Sequence, residues 1–159
     1  MEKITFRFPQ IFVAIYTGSF GELADIRQFG FWLLNRGIFD DAPVQKRNEA
    51  GILVTIDPES KAAGMVFGYL LDPFLEESDT FECLSRGHAY WLEEHYAEGI
   101  LRTLKHLDKI LRKRSRQARR DPKLFERKAL LPVKTGDLVS HIRAGQCSMI
   151  GEEIREIFR

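Results

Sequence analysis

Residues Gly51–Asp72, GILVTIDPESKAAGMVFGYLLD, decide how the chain folds. Gly51–Ile56 is an apolar run closed by Asp57-Pro58. Continuous rather than alternating apolar character predicts a strand covered on both faces, so helices are expected on both sides of the sheet. Pro58-Glu59-Ser60-Lys61 reads as a turn and Ala62–Tyr69 as the next strand. The connection is too short for a parallel crossover, which makes the pair an antiparallel hairpin. Upstream, Ile11-Phe12-Val13-Ala14-Ile15-Tyr16 is a third buried strand, bounded by Pro9 and Thr17-Gly18-Ser19. Residues 11–16, 51–56 and 63–69 are therefore expected in one sheet.

Between the first two strands the period changes to that of a helix. Leu23, Ile26, Phe29 or Gly30, Leu33 and Leu34 share a face, and the helix ends near Asn35-Arg36-Gly37. After the hairpin, Asp72 is a natural N-cap with Pro73 at the first helical position and Glu76 and Glu77 in the first turn. Ser85–Arg112 reads as one long helix broken near Gly87, with Trp91, His95, Ile100 or Gly99, Leu104, Leu107 and Leu111 as its stripe. Beyond Leu111 the stripe vanishes into RKRSRQARR, a solvated, fraying helix end. Pro122 and Pro132 then mark a boundary. Two short amphipathic helices follow, one from Thr135 to about Ala144, the other capped by Ser148 and carrying Ile150, Ile154, Ile157 and Phe158. The predicted class is α/β, a mixed β-sheet with helices on both faces, plus a C-terminal helical appendage. The predicted division is 1–120 and 121–159.

Composition sets further bounds. With 159 residues, 44% of them hydrophobic and 30% charged, the chain can bury a core without disulfides. Cys83 and Cys147 have no metal-type spacing and read as reduced thiols in the cytoplasm. The opening MEKITFRFPQ has no apolar signal-peptide core, and no run approaches the roughly 18 apolar residues of a membrane span. The net charge of +1 conceals a split. Residues 40–99 hold thirteen Asp/Glu against four Lys/Arg, whereas 105–128 hold eleven Lys/Arg against three Asp/Glu. The basic arm is either a solvated helix face or a footprint for an anionic partner.

No phosphate-cradling glycine loop, nucleophile elbow or cysteine-phosphatase spacing is present. His88 and His95 are seven apart, too far for one metal ion on a helix. The carboxylates offer more. In an antiparallel hairpin, Glu49 and Asp72 come to the same sheet end, with Glu76 and Glu77 close behind and Asp57 at the other end. Oxygen ligands gathered there suit a hard cation, calcium or another divalent ion. The competing explanation is that Asp72 caps a helix and the glutamates serve its dipole.

Three blocks resemble the TPM domain family. Asn48-Glu49-Ala50-Gly51-Ile52-Leu53-Val54 stands for the family's acidic loop and Gly-Val-Leu-Leu-type strand. Gly68-Tyr69-Leu70-Leu71-Asp72, with Glu77 five residues on, stands for its strand end and following acid. Glu94-His95-Tyr96-Ala97-Glu98-Gly99-Ile100 stands for its helix motif. The match covers roughly residues 9–112. It departs at Leu70 and His95, where the family has glycine and aspartate, and the family's helix before the first strand is nearly absent. The resemblance implies an accessory or repair-type binding protein, or a calcium-binding acid phosphatase.

The expected function is a TPM-like accessory or binding protein, non-catalytic, with a divalent cation at Glu49, Asp72, Glu76 and Glu77. The alternative is a metal-dependent hydrolase of phosphomonoesters using Asp72, Glu77 and Glu49 around a divalent cation. The expected partner is a protein, with an anionic partner on the arm 105–128 as a second. Nucleic acid ranks last, because the arm lacks interleaved aromatics and a groove-reading motif.

Overall fold

The computed structural model describes residues 2–19, 25–37, 48–123 and 125. Seven principal elements run in order: α1 Glu2–Arg7, β1 Phe12–Thr17, α2 Ile26–Arg36, β2 Gly51–Asp57, β3 Ala62–Phe67, α3 Glu77–Leu92 and α4 Tyr96–Arg120. Short 3-10 turns at Asn48–Ala50 and Tyr69–Leu71 flank the hairpin. The helix before β1 is thus a real, if short, element. The tail helices expected beyond residue 130 lie outside the described residues.

The strands form one mixed sheet in the order β1-β2-β3. β1 runs parallel to β2, with Phe12 opposite Gly51. β2 and β3 are antiparallel, with Ile52 opposite Phe67 and Asp57 opposite Ala62. Every residue of the central strand β2 is buried, as its unbroken apolar character predicts. On one face Phe12 and Leu53 pack with Leu34 of α2. On the other, Ile52, Val54, Ile56 and Met65 join Cys83 of α3 and Leu104, Leu107 and Leu111 of α4. Helices therefore cover both faces. The hairpin turn is held by the buried Asp57, whose carboxylate accepts from the amides of Glu59 (2.9 Å) and Ser60 (3.3 Å) and from the Ser60 hydroxyl (2.7 Å).

Four expectations are corrected. α2 starts at Ile26, because Asp25 is extended and its side chain accepts from the Arg27 amide at 2.8 Å, ending the helix there. The helix read as opening at Asp72-Pro73 opens at Glu77. Leu70, Leu71, Phe74 and Leu75 are all buried, and a turn rather than one helical face sends four apolar side chains inward. Glu76 is the true N-cap, in a reciprocal box with Asp79.

The long helix is two, joined at Glu93–His95, where Glu94 takes φ 63°. Gly87 does not break the chain. Its missing side chain lets α3 approach α4: an added Cβ would lie 2.6 Å from both the Gly99 carbonyl and Thr103 Oγ1. His95 belongs to the turn and is exposed. Finally, α4 stays helical to Arg120. Its stripe does not vanish at Leu111 but changes to small residues, the buried Ser115 and Ala118.

Candidate functional site

Among the described residues β3 is an edge strand. Gly68 donates its amide to the Gly51 carbonyl at 2.9 Å, directly across the hairpin. Antiparallel pairs alternate between bonded and non-bonded, so Ala62, Gly64 and Val66 also bond inward to β2. Ala63, Met65 and Phe67 then direct their N–H and C=O groups away from β2, with Ala63 and Phe67 half-buried and Met65 buried. Among the described residues no partner meets those groups.

Two helices flank this open edge. Ala63 and Met65 form the floor of a groove of about 460 Å³ walled by Glu77, Ser78, Thr80, Phe81 and Leu84 of α3 and by Arg27 of α2. Arg27 reaches across the edge to pair with Glu77. Both side chains are exposed, so the pair is worth at most about 1 kcal/mol. It covers the edge against uncontrolled strand pairing yet opens at little cost. Phe81 stands on the groove wall with 74% of its surface exposed. An exposed aromatic beside unpaired strand backbone is the arrangement that accepts an extended peptide: main-chain bonds give affinity and side-chain pockets give selectivity.

The sequence missed this groove. Its parts come from α2, β3 and α3, and the Arg27–Glu77 pairing spans fifty positions. The one local signal was Phe81, an aromatic in the otherwise polar turn ESDTFE.

The four carboxylates singled out from sequence are placed as follows. Glu49 lies in the 3-10 turn before β2 and Asp72 just after the turn that follows β3, so both sit at the same sheet end. There Gly68 packs on the backbone of Glu49. Glu76 faces α4, with Arg114 at 3.7 Å, and Arg114 also holds Asp79 at 3.0 Å. Glu77 faces α2 and Arg27. The two adjacent glutamates thus diverge to arginines on opposite sides. Among the described residues no group of three or more His, Cys, Asp or Glu side chains is arranged to hold a metal ion.

His88 and His95 are both exposed. Cys83 is fully buried and free. Burial first, then the Asp79 and Glu82 carboxylates, push its thiol up to about 12, so it is protonated and unreactive at neutral pH. No helix of the described residues is long and apolar enough to cross a membrane. Comparison with family models, with curated proteins and with solved structures found no match.

Proposed function

We propose that this chain is a non-catalytic, TPM-like accessory or binding protein whose partner is a protein that lays an extended segment along β3. The observation that carries the reading is the outer edge of β3, unpaired among the described residues, with a largely apolar groove beside it. The TPM-like part rests on its three sequence blocks. They fall at the turn into β2, at the exit of β3 and at the α3–α4 turn, and the first two are packed together through Gly68. The free thiol of Cys83 supports a cytoplasmic setting.

The test is selection of extended peptides from a random library on the wild-type chain, with binding then measured to Ala63→Pro and Phe81→Ala. Ala63→Pro removes one outward N–H while leaving the inward ladder intact. Selected peptides are expected to lose at least tenfold in affinity on either variant. Peptides that bind both variants as well as wild type would overturn the proposal.

A divalent cation at Glu49, Asp72, Glu76 and Glu77 is a further property of this reading and the basis of the alternative, in which a metal-bound water attacks a phosphomonoester. Loading that site requires Glu76 and Glu77 to release Arg114 and Arg27. If the site exists, calcium raises the melting temperature, and raises it further in Arg27→Ala, where Glu77 is freed. No shift in either protein with calcium, magnesium or manganese removes the metal and the phosphatase together.

A further inference from the structure

A second surface lies away from the groove, on α4. Lys105, Lys109, Lys113, Arg116 and Arg120 are all exposed. Their spacing of four, four, three and four residues puts them within about 80° of one another on the helix. That arc is opposite the buried Thr103, Leu107, Ile110, Leu111 and Ala118, which face the core. The five cations form one row about 22 Å long. Among the described residues none of the five has a carboxylate or hydrogen-bond partner. The neighbouring carboxylate, Asp108, is taken by Arg7 at 2.6 Å and by Arg112 at 2.9 Å.

We infer that this face of α4 binds the phosphate backbone of double-stranded nucleic acid without reading its sequence. The chain carries a net charge of only +1, so its overall charge supplies almost no attraction. The unneutralised row does. The row itself covers a little under a quarter of the helix circumference. A convex positive rod fits between two phosphate strands, and the major groove, about 12 Å wide, admits a helix. A flat lipid surface would meet only the crest. From Lys105 to Arg120 no large apolar side chain is exposed, whereas a helix seated in a membrane interface inserts one. Gln117 is the one exposed neutral amide on this stretch, so adenine has at most one bidentate partner here, and phosphate contacts carry no sequence information. The basic run, unpromising in sequence because it lacks aromatics, becomes a candidate because the fold aligns it.

The test is fluorescence anisotropy of the full chain with a labelled 16-base-pair duplex across a salt series, with phosphatidylserine vesicles in parallel. Five phosphate contacts predict a slope of log K against log salt near −4.5, at about −0.9 per contact. Affinity is expected to be equal for unrelated duplexes. Lys113→Glu should weaken binding several-fold and the triple change Lys109→Glu, Lys113→Glu, Arg116→Glu at least a hundredfold, both with unchanged melting temperature. Arg86→Glu, on α3 and tied to Glu82 in the wild type, should change it less than twofold. No duplex binding at 50 mM salt (a low-salt condition chosen to favour phosphate contacts), an equal loss from Arg86→Glu, or tighter binding to the vesicles than to the duplex would each overturn the inference.

Discussion

Trp91→Ala is expected to lower the unfolding free energy by about 3–5 kcal/mol, the usual cost of emptying a large aromatic site. Trp91 is 2% exposed and sits where α3 crosses α4. Its ring fills the space left by Gly99, whose added Cβ would meet Trp91 Nε1 at 2.2 Å. The indole N–H finds no acceptor there, and neither does the buried Thr103 hydroxyl nearby. Losing an unsatisfied N–H offsets part of the cavity cost, which places the effect toward the lower end of the range. Trp91→Phe keeps most of the packing and removes the orphaned donor, so it should cost far less than alanine. Urea unfolding followed by circular dichroism measures both. An alanine effect below 1 kcal/mol would mean that the helix crossing does not depend on this ring.

Gly68→Ala is the second large effect, expected at or above the upper end of the roughly 1–3 kcal/mol range for overpacking. Gly68 has φ −72° and ψ 158°, a conformation open to any residue, so the need for glycine is spatial. A Cβ there would lie 2.1 Å from the Glu49 carbonyl oxygen, 2.3 Å from its carbon and 2.6 Å from the Asn48 carbonyl oxygen. All three are backbone atoms, and no side chain can swing aside. The turn carrying Glu49 has to move, and the register of β2 against β3 moves with it. A fully stable Gly68→Ala protein in the same urea assay would show that the two turns are not pinned together.

How much was legible from sequence follows from how local each signal is. The unbroken apolar run of β2 required cover on both faces, and the four-residue Pro58–Lys61 connection required an antiparallel partner. Both are properties of consecutive residues, and both hold. The start of α3 is masked in sequence because Asp72-Pro73 mimics a cap, while the Glu76…Asp79 pair that caps the helix carries no serine or threonine. The α3–α4 turn is hidden in the sequence because Gly87 is the stronger local break signal. Gly87 and Gly99 are instead the contact between the helices, and the polar Glu93-Glu94-His95 makes the turn. Carboxylates close in sequence need not share a site. Glu76 and Glu77 are neighbours that face opposite helices, a separation set by packing partners no single segment contains. The groove was invisible for the same reason.

The open edge of β3 is the central claim, and amide hydrogen exchange read residue by residue by NMR tests it most directly. The free protein should show alternation along the strand, with Gly64, Val66 and Gly68 protected and the half-buried Ala63 and Phe67 exchanging much faster. Saturation with a selected extended peptide should protect the amide of Ala63 and leave the inward ones unchanged. Equal protection of Ala63 and Gly64 in the free protein, or a bound peptide that leaves Ala63 exchanging as before, would contradict it.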